Sequence, residues 1–157
     1  MAKKLRRRVS GRVLEHSNIT AVGAMIYCST TERVLFLLRG EDTYSNFWGL
    51  VGGRIEANET VLQALDRECK EEVGYRIVFD HIVPLECYQS SDNHFQYHTF
   101  VCVVDKEFIP HLSREHKGYC WAPVENAPKP LHPGLYNSLG AEVVKRKLES
   151  VVDFIRV

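Results

Sequence analysis

The chain has no net charge: 20 lysines and arginines cancel 20 aspartates and glutamates. No global field therefore draws it toward nucleic acid or acidic membranes. It lacks any apolar run approaching the length of a transmembrane helix, so no such helix is expected. Its five cysteines, Cys28, Cys69, Cys87, Cys102 and Cys120, contain no C-x-x-C pair. An odd, dispersed set suits a reducing compartment rather than a disulfide framework, and predicts a cytoplasmic protein with small buried thiols. Neither these cysteines nor the seven histidines show zinc-ligand spacing. No repeat, low-complexity tract or long linker divides the chain. Residues 1–8 are basic with no apolar segment behind them, so a secretory signal is not expected.

What is present is the composition of a soluble globular protein. The 157 residues are 45% hydrophobic and 25% charged, enough for one domain with a real core. The expected division is a basic segment at residues 1–14 and a single domain over residues 15–157. Residues 3–12 carry six basic side chains. They read as a solvated terminus, with an arm touching the phosphates of a large substrate such as RNA as the alternative.

Residues 19–28 and 33–38 are apolar and flank the turn-like Ser29-Thr30-Thr31-Glu32, which predicts a hairpin. Residues 77–88 and 95–104 read as two long strands joined by a polar link, with Pro84 demanding an edge or a bulge. Residues 105–118 form a polar loop with few apolar side chains to pin it, and mobility without ligand is expected there. A short strand follows at residues 119–121. Prolines at 123, 128, 130 and 133 predict a loop that is neither helix nor central strand. Residues 135–152, with Leu139, Val143, Val144 and Leu148 on one stripe, read as a closing amphipathic helix. Strands outnumber helices, so the fold class is α+β, a sheet with helices on both faces.

The most informative stretch is residues 52–75. Gly52-Gly53 reads as a turn, Thr60 as an N-cap and Gly74 as the glycine that stops the helix. Leu62, Leu65, Cys69 and Val73 follow the rhythm of a buried stripe. Glu68, Glu71 and Glu72 form an acidic stripe beside it. Like charges one turn apart cost a bare helix a few tenths of a kcal/mol. A hard divalent cation reverses that sign, because clustered carboxylates are what Mg²⁺ prefers. On the helix alone, an ordinary solvated face with an Arg67–Glu71 ion pair is the plainer alternative.

The spacing of the whole stretch decides between them. A glycine, five residues, a glutamate, seven residues, then Arg-Glu-apolar-x-Glu-Glu-x-Gly resembles the signature of the Nudix hydrolases. Gly53, Glu59, Arg67, Glu68, Glu71, Glu72 and Gly74 all fall in register. Cys69 and Tyr75 are less usual in their apolar slots, and both can still be buried. Leu50-Val51-Gly52-Gly53 lacks the proline the family normally has before the glycines, and Asn58 stands where glycine is frequent. Asn tolerates the positive φ such a position takes.

The resemblance implies the Nudix fold, an α/β/α sandwich with a mixed central sheet. It implies metal-assisted pyrophosphate hydrolysis with Mg²⁺ or Mn²⁺ held by Glu68, Glu71 and Glu72 and by the Gly52 carbonyl. Arg67 would be structural, held by Glu59, with Gly53 supporting the loop. The run Glu115-His116-x-x-Tyr119-x-Trp121 resembles a stretch in many Nudix hydrolases, dinucleoside polyphosphate hydrolases among them. It makes Glu115 a candidate extra ligand or general base, with Glu71 and Glu72 the alternatives in the helix. Arg39, directly after the second strand, is a candidate phosphate contact. Tyr44 and Trp48 are substrate-side candidates, although Trp48 reads first as a core anchor.

The implied substrate is a nucleoside diphosphate joined to a second group: a nucleotide sugar, ADP-ribose or a dinucleoside polyphosphate. Nucleoside triphosphates and RNA 5′ ends are the alternative. A nucleotide-binding module that has lost catalysis is the non-enzyme alternative, and the complete glutamate set argues against it. The expected partner is a small-molecule nucleotide. Membranes are not expected, nucleic acid is less favoured, and a homodimer is open.

Overall fold

The computed structural model describes residues 18–41 and 43–157. The basic segment expected at residues 1–14 lies outside the described residues. Among these, seven strands form one sheet, β1 (Ile19–Cys28), β2 (Arg33–Arg39), β3 (Trp48–Gly49), β4 (Val51–Arg54), β5 (His81–Gln89), β6 (Phe95–Val104) and β7 (His116–Ala122). The helices are α1 (Val61–Val73), α2 (Pro133–Gly140) and α3 (Glu142–Arg156), with a 3₁₀ turn at Val124–Asn126.

The sheet is mixed. β1 runs parallel to β6 along its full length, from Ile19↔Phe95 to Cys28↔Val104. Its other edge is shared: β4 pairs antiparallel with residues 21–24 and β2 with Tyr27 and Cys28. β2 also pairs with β7 and with the short β3. β5 closes the edge beyond β6, and a bulge between Pro84 and Glu86 accommodates the proline.

Strand alternation builds two cores. Val22, Ala24, Ile26 and Cys28 of β1 face α1, where Ala64, Leu65, Cys69 and Val73 cover them. Met25 and Tyr27 point the other way, onto Val144, Leu148 and Val151 of α3. Both faces are covered, so β1 reads as one continuous buried run rather than an alternating one. Each fully buried aliphatic side chain contributes about 1.5–3 kcal/mol.

Several local expectations change. Gly52 and Gly53 lie in strand β4 rather than in a turn. The closing helix is two helices that meet at Ala141, because the extended backbone there interrupts the helical ladder. Val143 is consequently exposed, while Val144 and Leu148 are buried. The proline-rich segment contains the 3₁₀ turn, and Pro133 opens α2 at its first turn, where no N–H is needed. The strand expected from residue 77 starts at His81, since Ile77 and Phe79 pack into the α1-side core from irregular backbone. Leu62 and Tyr75 are exposed rather than buried; the Tyr75 ring lies edge-on to Phe108 and His111.

The loop at residues 105–115 is pinned rather than loose. Glu107 forms a forked ion pair with Arg33. Phe108 and Leu112 pack into the α1-side core. The Trp121 indole N–H donates to the Phe108 carbonyl at 3.1 Å, and His111 N–H donates to Val73 O at 2.7 Å. Charge pairing and backbone hydrogen bonds hold a segment whose composition has little apolar character.

Candidate active site

The site starts at α1. Thr60 caps it in a reciprocal box: its hydroxyl accepts from Gln63 N–H, and Gln63 Oε1 accepts from Thr60 N–H. Gly74 ends it with φ +91°, and Asn58 bends the preceding loop with φ 66°. Helical spacing then aims Glu68 and Glu72 inward on the same side as Cys69. Both are buried, with 8% and 3% of their surface exposed.

β4 supplies the floor. Gly52 N–H donates to Glu72 Oε1 at 2.6 Å. A Cβ on Gly53 would stand 2.3 Å from Glu68 Oε1, so only glycine lets this strand lie against the carboxylate. Arg67 ties loop, strand and helix together. Its Nε donates to Glu59 Oε2 at 2.7 Å and its Nη2 donates to Glu59 Oε1 at 3.0 Å and to Arg54 O at 2.9 Å. The Arg67 guanidinium, with the Glu56 N–H, holds the Glu59 carboxyl down to about 2. Nη1 of Arg67 reaches Glu68 at 3.0 Å and Glu71 at 3.3 Å. Glu71 therefore sits on the outer side of the guanidinium, more than half exposed.

β7 closes the site from the far side. Its register with β2 slips between Leu38 and Arg39, so Arg39 faces His116 and Lys117 is the extra residue. His116 is buried and Glu115 is exposed beside it. Donor atoms of Glu72, Glu115 and His116 all lie within 4.8 Å of one another. A cleft of about 410 Å³ opens onto this cluster, lined by Arg39, Glu41, Glu115 and His116. Arg39 is steadied by donating from Nε to Thr43 O at 3.0 Å. Tyr44 is exposed nearby in sequence, its ring 4.5 Å from that of His132. Trp48 pairs with Leu38 and packs into the α3-side core, so it anchors the loop.

The electrostatics of the cluster are those of a site short of positive charge. Burial pushes the Glu72 carboxyl up to about 9, with Glu68 and Glu115 adding to the rise against the Gly52 N–H. Burial also raises Glu68, opposed by Arg67. Burial lowers His116, which favours the neutral imidazole. His116 Nδ1 lies 3.3 Å from Glu72 Oε2, yet it makes no hydrogen bond. Buried carboxylates facing each other with an unpartnered nitrogen fit a divalent cation, whose charge cancels the repulsion and whose coordination uses the idle donors.

Two residues here carried no site assignment from sequence. Strand alternation from Cys120, which packs on the α3 side, would put His116 on that side too. The extra residue Lys117 turns it toward α1 instead. Its only sequence signal was its place beside Glu115. Tyr97 of β6 is the other. Its hydroxyl is 2.4 Å from where a Gly23 Cβ would stand and 3.1 Å from a Gly52 Cβ. Burial pushes this phenol up to about 12. Those two glycines make room for a ring that no local pattern marks.

The family model described as NUDIX domain matches residues 18–140. A dihydroneopterin triphosphate diphosphatase from Haemophilus influenzae is 35% identical over 130 residues, covering 73% of this chain and 80% of that protein. Among solved structures, the NUDIX domain of Shewanella oneidensis NrtR complexed with ADP ribose aligns with a TM-score of 0.67 at 17% identity, over 84% of this chain and 89% of that one. A MutT protein from Methanosarcina mazei Go1 aligns with a TM-score of 0.64 at 23% identity, over 87% and 97% of the two chains. The two structural likenesses bear on the fold.

Proposed function

The chain belongs to the NUDIX family, and from that premise we propose that it hydrolyses a triphosphate ester of the dihydroneopterin or nucleoside triphosphate class. The products are the monophosphate and pyrophosphate. A water oxygen bonds to the α- or β-phosphorus as the α–β bridging P–O bond breaks. The bridging oxygen leaves with the pyrophosphate or the monophosphate respectively, and the water's proton goes to a base. The observation that carries the reading is the buried Glu68–Glu72 pair, with Glu115 and His116, at the mouth of a cleft that also holds Arg39. The catalytic unit we assign to residues 15–157.

Glu68, Glu71 and Glu72, with Glu115 and the Gly52 carbonyl, would hold Mg²⁺ or Mn²⁺. When bound, such a cation neutralises phosphate oxygens and lowers the pKa of water. The protein's own groups do the rest. Gly52 N–H and the packing around α1 keep the Glu72 carboxylate in one orientation. Arg67, locked by Glu59, keeps β4 and α1 in register, and placement of groups is what phosphoryl transfer demands. Arg39 binds phosphate from the cleft wall, and the exposed Tyr44 ring offers a stacking face to a flat base. Glu115, which lines the cleft, would act either as an extra ligand or as the base that takes the proton from water. Five free thiols suit the cytoplasm.

The motif alone put nucleotide sugars, ADP-ribose and dinucleoside polyphosphates first. The triphosphate alternative replaces them because a relative sharing 35% identity over most of this chain is a triphosphate diphosphatase. The test is a panel of dihydroneopterin triphosphate, the common nucleoside triphosphates, ADP-ribose and diadenosine tetraphosphate, with Mg²⁺ and with EDTA. Triphosphates should yield monophosphate and pyrophosphate at kcat/KM about 100-fold above the other substrates, and EDTA should abolish turnover. Faster cleavage of ADP-ribose would overturn the assignment.

A further inference from the structure

His116 is the one buried side-chain polar atom site, among the described residues, left without a hydrogen bond. Its side chain is 4% exposed, so no bulk water serves the ring nitrogen. An unpaired buried nitrogen costs stability on the order of 1–3 kcal/mol. The strand bulge at Lys117 turns this ring toward α1, whereas plain alternation would place it on the α3 side among apolar side chains. Nδ1 arrives 3.3 Å from Glu72 Oε2, close but misaligned for a hydrogen bond.

That separation has a second meaning. Two donors each about 2.1 Å from one cation are about 3.0 Å apart at an octahedral right angle and about 3.4 Å apart at a tetrahedral angle. Glu115 offers its carboxylate within 4.8 Å of both. Resting on the proposed metal-dependent reading of this site, we infer that His116 Nδ1 is a direct nitrogen ligand, which makes one cation position mixed N/O in character and selective for Mn²⁺ or Co²⁺ over Mg²⁺. Imidazole raises affinity for transition cations far more than for Mg²⁺, which prefers an all-oxygen shell. Glu68 and Glu71, on the Arg67 side of α1, offer only carboxylate oxygens as ligand atoms and accept hydrogen bonds from Arg67.

The experiment reads binding directly. The metal-stripped full chain is loaded with Mn²⁺ and its pulsed EPR spectrum is searched for ¹⁴N coupling, and Mn²⁺ and Mg²⁺ affinities are measured by calorimetry. The expected result is imidazole ¹⁴N modulation in the unaltered protein. In His116→Asn, which keeps a polar atom near the Nδ1 position, the modulation should disappear. Its Mn²⁺ Kd should rise about 10-fold or more, and its Mg²⁺ Kd should change less than about 2-fold. Absence of ¹⁴N modulation in the unaltered protein overturns the inference, and needs no variant to fold. Equal weakening of Mn²⁺ and Mg²⁺ in His116→Asn also overturns it, since that is what loss of mere positioning would do. Mg²⁺-dependent hydrolysis without nitrogen coupling would sink the ligand assignment and leave the proposed function standing. Failure to bind either cation would sink both.

Discussion

At the scale of single residues, Glu72 carries a conflict that pH makes visible. Its carboxyl is raised from 4.5 to about 9 by burial and by neighbouring carboxylates. Between those values the metal-free folded state holds a proton that the unfolded state has lost, so stability falls as pH rises. His116, lowered from 6.5, acts oppositely at the acid end, where its protonation favours unfolding. The clean window therefore lies above the ordinary histidine range and below about 9. In EDTA, Tm should fall across that window, and Glu72→Gln should flatten the fall and melt higher at its upper end. The same substitution should cut kcat about 100-fold or more, since a neutral amide holds a cation poorly. A Tm slope unchanged by Glu72→Gln would show that another group carries the proton. Glu115 is exposed at the cleft. Glu115→Gln should lower kcat about 100-fold and move Tm by no more than about 1 °C, as steady-state rates and thermal melts would show.

At the scale of elements, β4 allows a sharper contrast, because its two glycines touch different things. A Cβ on Gly52 would stand 2.2 Å from the Val22 carbonyl oxygen, which is backbone and cannot move aside. Gly52→Ala should therefore cost about 2 kcal/mol or more in urea unfolding. A Cβ on Gly53 meets the Glu68 carboxylate, the far end of a flexible side chain. Gly53→Ala should leave stability nearly unchanged while kcat falls at least about 10-fold, since a displaced ligand of about 1 Å is costly to catalysis. Comparable losses of stability in both variants would refute this division. α1 offers a control at its other end. Thr60→Ala removes one half of the capping box and should cost about 1 kcal/mol.

At the scale of the molecule, the sheet separates two cores with different duties. α1 and its core carry the glutamates; α3 and its core carry none of the clustered donors. Leu148→Ala, on α3, should cost about 2–4 kcal/mol and leave the Mn²⁺ Kd within about 2-fold of the unaltered value. A matched loss of metal affinity would mean that the two layers are coupled through the sheet. The loop at residues 105–115 belongs to the α1 side by its Phe108 and Leu112 packing and its bond to Val73. Glu115 stands at the cleft, with a carboxylate oxygen within 4.8 Å of the Glu72 and His116 donor atoms.

What the sequence determined by itself was local and periodic. Thr60, Asn58 and Gly74 specify where α1 starts and stops, because caps and positive φ are properties of single residues. Helical spacing alone stacked Glu68 on Glu72, because a helix repeats every 3.6 residues or so, whereas the Arg67–Glu59 pair, which the structure shows, was implied only by the Nudix resemblance. A continuous apolar run marked β1 as a strand, and residues 95–104 likewise read as the long strand that β6 proves to be. Contacts distant along the chain were decided only by the tertiary structure. Gly52 and Gly53 read as a turn until β1 offered them a partner. Val143 and Val144 could not be told apart until Ala141 broke the helix and reset its face. The loop before β7 looked loose because its anchors, Arg33, Val73 and Trp121, lie elsewhere in the chain. His116 was invisible as a donor because a one-residue bulge reverses strand parity, and no local pattern announces which side of a sheet such a bulge will face.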